Sequence, residues 1–135
     1  MASILRVNTL TDASSNNSVA LETVSQGSSK AWYNLNANTP TLRDSFNIGS
    51  VTDEGTGKYE GNFTNAMSNG NYSANGNNST KGATNAYQFI ISTGDQNNTY
   101  GLHSTAAIRT NSWAENTAAL ADSDMVQVSI HGDLA

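Results

Sequence analysis

Cysteine is absent from this chain, which removes disulfides, a thiol nucleophile and thiolate metal ligation from consideration. It also fits assembly inside a cell. Proline occurs once, and charged residues make up only 13% of the sequence. Six scattered Lys and Arg stand against 11 Asp and Glu, a formal net charge of −5. Phosphate backbones are bound by clustered basic groups, so nucleic acid is not an expected partner. No stretch approaches the roughly 20 apolar residues of a membrane helix. The opening MASILRVNTLTD lacks the basic and apolar regions of a signal peptide.

What fills the chain instead is Asn, Ser, Thr and Gly, with hydrophobic residues at 36%. Low net charge per residue and near-absence of Pro do not match the composition of disorder. Neutral polar richness with recurring aromatics suits strands that have one wet face and many turns. The 135 residues suffice for one domain with a modest core.

Residues 43–67, RDSFNIGSVTDEGTGKYEGNFTNAM, alternate apolar and polar on both sides of a glycine-rich knot. They predict a hairpin with DEGTG at 53–57 as its turn. Phe46 and Ile48 are expected on one face, and Gly49-Ser50 shifts the phase as a bulge before Val51. Tyr59, Gly61 and Phe63 continue the apolar face. Upstream, Ala31, Tyr33 and Leu35 point one way, and Trp32 the other with two asparagines. Downstream, Tyr87, Phe89 and Ile91, then Leu102 and Ile108, then Val126, Val128 and Ile130 anchor further strands, the second of them at 100–110. Asn69-Gly70 and Asn75-Gly76 are expected turns flanking a weak strand at Tyr72. Residues 112–122 fit either a short helix, capped by Ser112 with Glu115, or a long loop. Two short strands at 3–10 and 19–24 and a flexible joint at 25–29 form an N-terminal element. The expected fold is therefore all-β: a small antiparallel, jelly-roll-like β-sandwich at 30–135 behind a short extended anchoring segment at 1–29.

Reactive groups are sparse. His103 and His131 fall at outward strand positions, far apart in sequence, and are expected to be solvated rather than metal-bound. Asp53-Glu54 and Asp122-Ser123-Asp124 fit turns and caps better than a calcium loop. The GTGK at 55–58 is not a phosphate loop, because Thr52 and Tyr59 stand where that motif needs Gly and Ser or Thr. No serine sits in a nucleophile elbow. Asn62, Asn71 and Asn78 open glycosylation sequons that an Asn-rich chain produces by chance. The chain is thus expected to be no enzyme, with no catalytic residue, cofactor or metal.

One segment carries a more specific signal. It combines Ala31-Trp32-Tyr33-Asn34-Leu35-Asn36, Arg43 to Asn47, the Thr52 to Tyr59 hairpin, Asn62-Phe63-Thr64 and Ala66-Met67. This run resembles a module of marine bacteriophage virion proteins, the cyanophage type above all. The closing DSDMVQVSIHG is similar to that module's final strand, and SILRVNTLTDASSN to its leader. The resemblance implies a fibre-like structural protein of the virion, assembled in the host cytoplasm and attached to tail or capsid. It supplies no catalytic residue.

Phage fibres are commonly trimers, so a homotrimer joined to other virion proteins is expected. Ile4, Val7 and Leu10, too few for a core, are the expected anchoring residues. If the head meets a host glycan, Tyr72, Asn75, Asn78, Tyr100 and Trp113 are the candidate contacts, although for Tyr72 and Trp113 core or interface packing is the preferred expectation. The alternatives are a capsid cement or head-fibre protein without a receptor, and a free carbohydrate-binding module.

Overall fold

The computed structural model describes residues 6–15, 17–79, 87–90, 103–114 and 119–135. Within them the chain forms two antiparallel sheets packed as a small all-β sandwich, preceded by an N-terminal hairpin and helix. The hairpin is β1 (Thr9–Thr11) and β2 (Ser18–Ala20), followed by α1 (Leu21–Gly27). One sheet has the order β4 (Thr41–Phe46), β3 (Ala31–Asn36), β11 (Met125–His131), β7 (Ser73–Ser79). The other is built on β9 (Ala107–Ala114), which pairs with β6 (Lys58–Phe63), β8 (Tyr87–Ile90) and β10 (Ala119–Leu120). There β6 pairs in turn with β5 (Ile48–Asp53).

The core follows from the period of two along each strand. Ala31, Tyr33 and Leu35 on β3 stand opposite Ile130, Val128 and Val126 on β11, and all six are buried. Tyr59 and Ile108 meet them from the second sheet, with no exposed surface. The Tyr33 hydroxyl lies 2.9 Å from Thr110 Oγ1, so one hydrogen bond joins the sheets through the core. Gly61 makes room for that ring, since a Cβ there would sit 3.1 Å from Tyr33 Cε1.

Several sequence expectations hold at the residue level. The β5–β6 register slips between Ile48 and Ser50, which makes Gly49 the bulge residue. The 53–57 turn contains Gly55 at φ 111° and Gly57 at φ 68°. It closes with Lys58 N–H donating to Gly55 O at 2.8 Å.

Others are corrected. Phe46 and Ile48 do not share a face: they end and begin strands in different sheets, Phe46 53% exposed and Ile48 buried. Between them Asn47 adopts φ 57°, a left-handed conformation that asparagine tolerates. Its amide donates to Lys30 O and Asn65 O and accepts from Asn65 N–H at 2.7 Å, pinning the crossing point. Asn75-Gly76 is no turn but mid-strand, opposite Ser129 and Val128; seven cross-strand partners on β11 outweigh its local preference. The strand expected at 100–110 begins, within the described residues, at Ala107. Residues 112–122 are not a helix where described. Ser112–Ala114 end β9, and β10 pairs back with Leu120 opposite Trp113. The buried Ser112 takes Ala121 N–H and gives its own to Gly57 O, so its backbone is committed to partners outside any helix. The strand expected at 19–24 stops at Ala20, where Leu21, Glu22 and their successors turn into α1, the acidic Glu22 favourable in its first turn.

Gly57 is the tightest of the turn positions. A Cβ would lie 2.6 Å from Ser112 O and 2.7 Å from Ala121 N, whereas at Gly55 nothing lies within 4 Å. Gly55→Ala is expected to lose only the left-handed backbone preference, about 1–2 kcal/mol. Gly57→Ala meets both strain and backbone atoms and is expected to lose about 3 kcal/mol or more. Urea unfolding of the two variants checks the order; equal losses would mean that the Gly57 contact relaxes freely.

Candidate functional site

The outward face of the β4, β3, β11, β7 sheet carries the most organised set of polar groups. Inward placement of Tyr33 sends its neighbours Trp32 and Asn34 to the other side. Antiparallel register then sets side chains from four strands in rows. One row reads Phe46, Trp32, Ser129, Asn75. The adjacent row reads Asp44, Asn34, Gln127, Asn77. All of these except Phe46 line a shallow cleft of about 360 Å³, with Trp32 at its wall and 36% exposed. Asn34 Oδ1 is shielded from solvent yet has no hydrogen-bond partner. Ser129 Oγ lies 3.2 Å from both His131 Nε2 and Ser29 Oγ. Asp44 is the sole carboxylate in the lining, and no Lys, Arg or His contributes to it. A neutral ligand rich in hydroxyls matches that chemistry.

Of the surface contacts expected from sequence, Asn75 lies on this cleft, exposed. Tyr72 does not. It is buried, donates its hydroxyl to Ala107 O at 2.9 Å, and packs edge-on against Phe63. Asn78 points the other way, opposite Val126, and reaches across the sandwich to donate to Ser112 Oγ at 2.8 Å. Trp113 is half-buried on β9, on the second sheet. Tyr100 lies outside the described residues. The cleft's other residues could be signalled in sequence only as outward positions; their convergence depends on strand order.

The N-terminal element forms a second candidate surface. Every residue of β1, β2 and α1 is exposed. Leu10, Val19, Leu21 and Val24 stand 36% to 41% exposed, large apolar side chains on an element without a core. Val7 is half-buried beside Ala20 and Leu21. Ile4 lies outside the described residues. Gln26 ties α1 to the sandwich by donating to Asp133 Oδ1 at 2.9 Å.

The acidic loop before β11 is occupied structurally. Asp122 accepts from Tyr59 Oη at 2.6 Å and from Gly57 N–H at 2.7 Å. Burial, and then the Asp122 carboxylate, push the Tyr59 phenol far above its ordinary range. Asp124 accepts from Asn38 Nδ2 at 2.6 Å, and its carbonyl from Arg43 Nη2. Among the described residues no three His, Asp or Glu side chains converge as metal ligands.

No protein-family model matches the chain, and neither a curated protein nor a solved structure does.

His103 is not the solvated strand residue expected from sequence. Its ring stacks on Tyr72 with centroids 5.3 Å apart, and its buried Nδ1 has no partner. Burial, then the nearby Arg109 cation, lower its pKa below the ordinary 6.5. The unfolded chain therefore binds this proton more tightly than the folded one. Stability from this site is complete above pH 6.5 and falls as pH drops towards the depressed folded value. Unfolding midpoints in urea at descending pH are expected to decline across that window, and His103→Phe to flatten the slope. An unchanged slope in the variant would assign the dependence to other groups.

Proposed function

We propose that this chain is a structural protein of a virion, fibre-like, in which residues 1–29 attach to tail or capsid and residues 30–135 form the outward head. The observation that carries the reading is the exposed apolar set of Leu10, Val19, Leu21 and Val24 on a hairpin and helix without a buried residue. Such an element gains by docking on another protein. The resemblance of residues 30–75 to phage virion modules points the same way. A homotrimer would let these strips cover one another along an axis, with the heads outside. A tail position accommodates contact with the host surface; a capsid position implies decoration or reinforcement without a receptor.

A free carbohydrate-binding module is the second reading, favoured by Trp32 and the polar rows of the outer sheet face.

Removal of residues 1–29 is expected to leave a folded, soluble domain that no longer enters particles, because the deleted segment contributes no core residue among those described. Normal incorporation of the truncated chain would sink the anchoring role. Antibody labelling of intact particles, read by electron microscopy, separates tail from capsid; the absence of label on any particle would overturn the virion reading itself.

A further inference from the structure

We propose that the outer face of the β4, β3, β11, β7 sheet is a binding site for a neutral oligosaccharide, with Trp32 as the stacking platform and Asn34, Asp44, Asn77 and Gln127 as the polar contacts. The inference stands on the cleft's own chemistry and holds whether the chain serves a virion or acts as a free module.

Three features of the cleft select this ligand. The first is the pairing of an aromatic face with amides. A pyranose ring has an apolar C–H face and a rim of hydroxyls, each both donor and acceptor. The Trp32 side chain, 36% exposed, takes the C–H face, whose positive hydrogens meet the electron-rich ring. Asn and Gln amides present donor and acceptor in one plane and match the hydroxyl rim. The second is charge. With one carboxylate and no cation lining it, the cleft disfavours sialylated, sulfated or phosphorylated ligands and favours neutral ones. The third is an uncompensated group. Asn34 Oδ1 is desolvated without a hydrogen bond, and Gln127 beside it makes no side-chain bond among the described residues. A ligand hydroxyl that reaches Asn34 recovers a bond the free protein forgoes.

The dimension favours an oligosaccharide over a single sugar. Four strands at about 4.8 Å spacing spread each row over about 14 Å. A protein partner suits this face less well. The centre of a subunit interface is normally apolar and poor in charge, whereas the row through Asp44, Asn34, Gln127 and Asn77 is polar throughout.

The test is a glycan array carrying neutral, sialylated and sulfated oligosaccharides, probed with the labelled full chain, followed by calorimetric titration of the strongest neutral ligand. Binding is expected to neutral members only. Trp32→Ala and Asn34→Ala are each expected to weaken it about tenfold or more, while Thr52→Ala on the opposite sheet leaves it unchanged. Circular-dichroism melting confirms that the variants fold, and Trp32→Phe, which keeps an aromatic face, is expected to retain most of the affinity. Absence of binding to every neutral glycan, preference for anionic ones, or affinity untouched by both alanine variants would overturn the proposal. So would a fall in sedimentation mass on Trp32→Ala without glycan binding by the wild type, which would assign the face to a second copy of the chain. The array uses isolated protein, so its failure leaves particle labelling, and the virion reading, untouched.

Discussion

Tyr33 stands between the two sheets with its ring against Gly61 and its hydroxyl 2.9 Å from Thr110 Oγ1. A phenol buried this completely must find a partner or forfeit its hydration, and the partner it finds belongs to the facing sheet. That bond fixes how far β3 can slide over β9, and the missing side chain at Gly61 fixes how closely they approach. Tyr59 repeats the device at the other end of the core, its hydroxyl held by the Asp122 carboxylate at 2.6 Å and close to the Ala37 carbonyl at 3.3 Å. The same carboxylate receives Gly57 N–H, so the hairpin turn and the loop before β11 are clamped by one group. In a chain with little apolar mass, such polar ties within the core supply register that hydrophobic packing alone, being non-directional, leaves open.

Once Tyr33 is fixed inward, the outer face of its sheet is fixed with it. Trp32 and Asn34 are its immediate neighbours and have no choice but the outer side. Their rows are completed by β11, whose inward Val126, Val128 and Ile130 send Gln127, Ser129 and His131 outward. The core and the cleft are two faces of the same alternation. The opposite sheet shows a different outer chemistry: Glu60 and Arg109 form an ion pair at 2.5 Å across β6 and β9. Partly exposed, that pair contributes little to stability, but it places a cation on this face, which the cleft lining lacks.

The N-terminal element obeys different energetics. A two-stranded hairpin and a seven-residue helix are marginal in water on their own. Here they carry apolar side chains that the sandwich does not cover. The proposed division of labour follows from that contrast: a self-sufficient head, and an appendage completed by what it attaches to.

Alternation and turn chemistry act over a few residues, and these were legible in the sequence. The inward sets at 31–35 and 126–130, the Gly49 bulge, the 53–57 turn and the all-β class all follow from side-chain period and glycine placement. What required the tertiary structure was every property that depends on residues distant in the chain. Asn75-Gly76 reads locally as a turn and becomes strand because β11 pairs along its length. Asn47 reads as one step in a continuous strand and becomes the crossing between sheets because its amide is bound by Lys30 and Asn65. Asn78 reads as a surface group and turns inward because Ser112 offers it a partner, whereas Tyr72 takes the core-packing role that its sequence also allowed, its hydroxyl held by Ala107. The cleft itself draws residues from four strands, and strand order is set by which faces can be buried together, a quantity that no local stretch of sequence contains.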